Sequence, residues 1–120
     1  METLEKTRTA DPVTATALQA FVQKVSNRSD FAGAILFGSR ARHSHQPESD
    51  ADVAVLLDSP PGKFVATKME MDDLAYEVLL DTGVRIQPLP VWLSEWDHPD
   101  SYSNPYLLKN IAREGIRLCR

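Results

Sequence analysis

Between residues 31 and 57 the chain sets two apolar runs on either side of a glycine break. Phe31 to Phe37 is short and continuously apolar, the pattern of a strand buried on both faces. Gly38-Ser39 ends it, Arg40 to His43 has room for a short helical turn, and His45 to Ser49 with Pro47 reads as loop. Asp50-Ala51-Asp52 then leads directly into Val53 to Leu57, so residues 50–57 form a second strand. Two adjacent buried strands of this kind demand helices on their faces, which commits the chain to a mixed α/β layer structure.

The flanking segments supply those helices. Asp11-Pro12 is an N-cap followed by proline at the first helical position, and Val13, Ala17, Leu18, Phe21, Val22 and Val25 recur at helical spacing, predicting a helix from about Pro12 to Asn27. Asp58 to Gly62 is a turn. Lys63 to Leu80 reads as a long amphipathic helix on the spacing of Phe64, Val65, Met69, Met71, Leu74, Ala75, Val78 and Leu79. Gly83 is placed to cap that helix in the left-handed conformation. Val84 to Leu93 is a third strand, and Pro88 and Pro90 put it at a sheet edge or end it early. Asn104-Pro105 opens a last helix to about Arg113, Gly115 stops it, and Ile116 to Cys119 is a short final strand. The expected order is α-β-β-α-β-α-β around a small mixed sheet with three main helices.

At 120 residues the chain is read as a single domain, residues 1–120, with residues 1–9 expected to fray. The net charge of −4 argues against general nucleic-acid binding, which needs a basic footprint. A lone cysteine, Cys119, cannot form an internal disulfide, and no apolar run is long enough to span a membrane. A cytoplasmic protein is therefore expected.

The chemistry-bearing residues cluster at the glycine break. Alternation along a strand projects Asp50 and Asp52 from one face, roughly 7 Å apart. Paired carboxylates repel one another unless a cation lies between them, and magnesium takes such oxygen ligands while keeping places for substrate phosphates. Gly38 lets the backbone approach a phosphate, and the N–H groups of the following turn and the Ser39 hydroxyl can donate to it. Arg40 and Arg42 can neutralise further phosphate charge.

Gly38-Ser39, ten intervening residues and Asp50-x-Asp52 resemble the signature of the nucleotidyltransferase superfamily related to DNA polymerase β. With its short length, the chain is most similar to the minimal nucleotidyltransferases, which act as antitoxins to HEPN-domain toxins. The resemblance implies the polymerase β-like fold, with Gly38 and Ser39 holding the triphosphate and Asp50 and Asp52 binding magnesium. It implies transfer of AMP from ATP onto a hydroxyl. Larger members carry an extra domain for the second substrate, so the acceptor is expected in a partner protein, a tyrosine of a HEPN toxin. The superfamily's usual third carboxylate lies on the strand after the long helix, where this chain reads Val84-Arg85-Ile86-Gln87. Three readings remain open: Asp50 and Asp52 suffice without it, Glu77 or Asp81 substitutes for it, or the chain is a weakly catalytic module that neutralises its partner by binding.

The remaining candidates read as structural. His43-Ser44-His45 is a solvated pair or a phosphate or base contact. Trp92, Trp96, Tyr102 and Tyr106 are packing and a rim around the C-terminal loop, with an exposed partner-binding patch as the alternative. Glu70, Asp72, Asp73 and Glu77 are the solvated face of the long helix, and Met69 and Met71 fill gaps in the core.

Overall fold

The computed structural model describes residues 11–44, 46 and 49–119; the expected fray at residues 1–9 and the histidine at position 45 lie outside them. Helix α1 (Pro12–Val25) starts as its sequence dictates, with the Asp11 carboxylate accepting from the Thr14 backbone N–H at 2.9 Å and Pro12 in the first turn. Strand β1 (Phe31–Phe37), strand β2 (Ala51–Leu57) and helix α2 (Phe64–Thr82) follow. Gly83 closes α2 at φ 80°, where a side chain would be strained. Strand β3 (Ile86–Trp92) leads into a four-residue helix α3 (Leu93–Trp96) and a 3-10 turn (Pro99–Ser101), two short elements that carry no periodic signal in the sequence. Helix α4 (Pro105–Glu114) is capped by Asn104, whose side chain accepts from the Leu107 N–H at 3.2 Å, and strand β4 (Ile116–Cys119) ends the described chain.

The four strands form one mixed sheet in the order β3-β2-β1-β4. Strand β1 pairs antiparallel with both β2 and β4, while β2 and β3 run parallel across the α2 crossover. Strand β3 is an edge strand, as its two prolines require, yet it continues past both of them to Trp92 in register with β2.

Alternation sorts the strand residues into two cores. Ala34, Leu36, Ala51, Val53, Val55 and Leu57 face α1 and α2, where they meet Phe21, Met71 and Val78. Ile35, Ala54 and Leu56 face the other way, onto Leu108 and Ile111 of α4. The apolar face of α2 is narrower than its sequence suggests. Met71, Ala75 and Val78 are buried, whereas Val65 and Met69 point to solvent, so Met69 fills no gap. Its acidic residues are also engaged: Glu70 pairs with Arg28, Glu77 with Lys24 and Asp72 with Lys68. Of the aromatic group, Trp92 is buried, Trp96 and Tyr102 pack against the α4 core, and Tyr106 is exposed.

Candidate active site at the glycine turn

Asp52 pairs directly across the sheet with Phe37, the last residue of β1, so Gly38 follows immediately beside it. Gly38 adopts φ 77°, and a Cβ built on it would lie 2.5 Å from Asp52 Oδ2. The carboxylate therefore rests against the glycine backbone in space that any other residue would fill. Asp52 shares strand parity with Ala54 and Leu56, which puts it on the sheet face covered by α4. Asp50 stands just ahead of β2 and is half-exposed.

After Gly38 the chain makes a hydrogen-bonded turn rather than a helix. The N–H groups of Ala41 and Arg42 both donate to the Gly38 carbonyl, at 3.1 and 3.2 Å, and Ser44 N–H donates to the Ser39 carbonyl at 2.9 Å. His43 takes φ 58° within this turn.

The two arginines of the turn, both expected to face phosphate, have separate positions. Arg40 is 2% exposed; its Nε donates to the Ser49 carbonyl at 3.0 Å and its guanidinium to Thr14 Oγ1 at 2.8 Å. It ties the turn, the loop before Asp50 and the start of α1 together from inside the protein. Arg42 lies outside, 3.5 Å from Glu114 of α4, and its charge also reaches Asp52. A cavity of about 170 Å³ lies here, lined by Gly38, Arg42, Asn110 and Glu114 among others.

Burial first, and then the neighbouring Asp50 charge, push the Asp52 carboxyl above its ordinary range, with Arg42 partly opposing them. Asp50 has a partner that the sequence reading did not assign: Arg85 Nε lies 3.8 Å from its Oδ1. The Arg85 carbonyl accepts from Ala51 N–H at 2.8 Å, so the β2–β3 pairing itself puts this arginine beside Asp50.

The same register decides which of residues 84–87 lies beside Asp52. Gln87 is the residue directly paired with Asp52, and its Oε1 accepts from Lys68 of α2 at 3.0 Å. Among the described residues no group of three or more carboxylate, histidine or cysteine side chains is assembled, so neither Glu77 nor Asp81 completes the pair. Asp50 and Asp52 nonetheless suit magnesium, which is commonly held by one or two carboxylates together with substrate phosphates.

The nucleotidyltransferase domain family model matches residues 18–118. The chain belongs to the nucleotidyltransferase domain family. No curated protein matches the sequence. Among solved structures, a candidate nucleotidyltransferase from Sulfolobus solfataricus is similar, at 20% identity and a TM-score of 0.51 over 69% of this chain and 70% of that one. The mixed sheet and its helices are thus a polymerase β-like nucleotidyltransferase fold. Membership in the nucleotidyltransferase domain family makes a nucleoside triphosphate the substrate class and a transferase the enzyme class. No described helix is long and apolar enough to cross a membrane.

Proposed function

We propose that this nucleotidyltransferase moves AMP from ATP onto a hydroxyl of a partner protein, a tyrosine of a HEPN-type toxin, and so acts as its antitoxin in the cytoplasm. The observation that carries the catalytic part is the seating of the Asp52 carboxylate against Gly38, with Asp50 close enough to raise it. The antitoxin part rests on the likeness of the Gly38-Ser39 and Asp50-x-Asp52 motif to minimal nucleotidyltransferases.

In this reading Gly38 and Ser39 receive the triphosphate through backbone N–H groups and the serine hydroxyl. Asp50 and Asp52 hold magnesium, which when bound neutralises phosphate charge and supports loss of pyrophosphate. Arg42, exposed and already within electrostatic reach of Asp52, supplies positive charge to the phosphates. Arg40 fixes the turn's geometry and stays out of substrate contact. The acceptor oxygen forms the new bond to the α-phosphorus, the bond to pyrophosphate breaks, and the acceptor proton passes to a base or to solvent.

A second reading is favoured by Gln87. An amide engaged by Lys68 beside Asp52, on the strand where the superfamily carries its third acid, fits a chain that neutralises its partner by binding, with little chemistry. The two readings separate on one experiment. ATP labelled at the α-phosphate, magnesium and the co-purified partner are incubated with the wild type, Asp52→Asn and Asp50→Asn. Label on the partner with the wild type alone supports transfer; no label, with neutralisation intact in both variants, establishes the binding reading.

A further inference from the structure

Helix α2 presents two faces, and the second has no partner among the described residues. Val65, Met69, Tyr76 and Leu80 are 67, 62, 59 and 67% exposed. At about 100° per residue the four fall within about 60° of arc, in a row ~22 Å long, opposite the buried Met71, Ala75 and Val78. Scattered exposed apolar residues are ordinary, but four aligned on one helix are a contiguous stripe.

Charge identifies the occupant. Between residues 64 and 82 there is one lysine against five carboxylates; Asp72, Glu70 and Glu77 are paired with Lys68, Arg28 and Lys24, and Asp73 and Asp81 keep no ion-pair partner among the described residues. Asp72 and Asp73 stand at the edges of the stripe. A second copy of the same face would set these carboxylates against one another. A partner helix with an apolar row flanked by lysine or arginine would meet both the stripe and its rim.

We propose that the Val65–Leu80 stripe of α2 is the docking surface for a basic amphipathic helix of a partner protein. Its position relates it to the catalytic centre. Tyr76 also lines a cleft of about 270 Å³, together with Asp72, Arg85 and Gln87. Arg85 in turn lies against Asp50, and Gln87 is paired with Asp52. A helix seated on the stripe lies beside this cleft. The docking does not rest on the protein-acceptor reading above.

The test uses the full chain and a synthetic helical peptide of about four turns, with leucines at one-turn spacing flanked by lysines, and the same peptide with glutamate for lysine. Fluorescence anisotropy should show saturable binding of the lysine peptide below about 100 µM. Met69→Glu combined with Leu80→Glu should weaken it at least tenfold, as should Val65→Ser with Leu80→Ser if the first pair proves unstable. Val13→Glu, an equally exposed position on α1, should leave it unchanged. Absence of saturable binding, equal binding of the glutamate peptide, or a dimer in sedimentation that Met69→Glu dissolves would each overturn the proposal. ATP binding measured on the same samples keeps the readings apart: its failure in the wild type counts against the catalytic reading, and its persistence without peptide binding counts against docking alone.

Discussion

The Asp52 carboxylate packs directly against the backbone of Gly38, in a gap where a Cβ would come within 2.5 Å of Oδ2. Gly38 holds φ 77° as it turns away from β1. Sterics and backbone conformation thus demand glycine for two independent reasons. Gly38→Ala should destabilise the fold by about 1–3 kcal/mol through backbone strain alone. It should lower pyrophosphate release far more than that loss explains, because the carboxylate must move. Urea unfolding and a pyrophosphate assay at a temperature where the variant is folded separate the two effects.

Asp52 works against stability at neutral pH. Its carboxyl is raised by burial and by Asp50. A raised carboxyl favours folding at pH below the ordinary aspartate value and loses that contribution as pH rises through the folded-state value. Asp52→Asn should therefore melt at or above the wild-type temperature at pH 7 without metal, an advantage that shrinks toward pH 3. Magnesium should raise the melting temperature of the wild type and not of the variant. Differential scanning fluorimetry across pH, with and without magnesium, reads both.

The two arginines of the turn should fail in different ways. Arg40→Ala removes the donors to Thr14 Oγ1 and the Ser49 carbonyl and empties a buried volume, so a loss of about 2–4 kcal/mol is expected. Arg42→Ala sits on the surface and should change stability by less than about 0.5 kcal/mol. Its KM for ATP should rise several-fold. Denaturation curves paired with steady-state kinetics distinguish a structural arginine from a substrate-facing one.

An ion pair away from the site sets part of the acid limit. Hydrogen bonding from Arg28, then from Ser59, holds the Asp30 carboxyl below its ordinary range against the opposing effect of burial. A lowered carboxyl stabilises the fold above the ordinary value of about 3.9 and loses that contribution as pH falls through the folded-state value. Asp30→Asn should cost about 1.5–3 kcal/mol at pH 7 and progressively less below pH ~4. Urea midpoints from pH 7 down to pH 3 follow the convergence.

Gln87→Glu tests whether the missing third acid limits chemistry. A carboxylate there would stand beside Asp52 with Lys68 able to pair with it. If the wild type is slow for want of that group, label transfer should rise at least tenfold, and more at alkaline pH than at acid pH. No gain would locate the limit elsewhere.

The spacing of apolar residues, the capping pairs Asp11-Pro12 and Asn104-Pro105, and the Gly38-Ser39 and Asp50-x-Asp52 motif are local properties, and the chain itself determined them. They placed each main helix and strand to within a residue or two and named the glycine and the two aspartates that the structure brings together. Tertiary structure decided what depends on pairing between distant segments. The identical patterning of Arg40 and Arg42 does not reveal that one guanidinium is drawn inward by Thr14, 26 residues away, while the other stays at the surface. Residues 84–87 likewise do not reveal which of them meets Asp52, because only the parallel β2–β3 register fixes Gln87 there and Arg85 beside Asp50. Helical periodicity alone gave α2 one broad apolar face. Packing onto the core buries Thr67, Met71, Ala75 and Val78 and leaves Val65, Met69, Tyr76 and Leu80 outside.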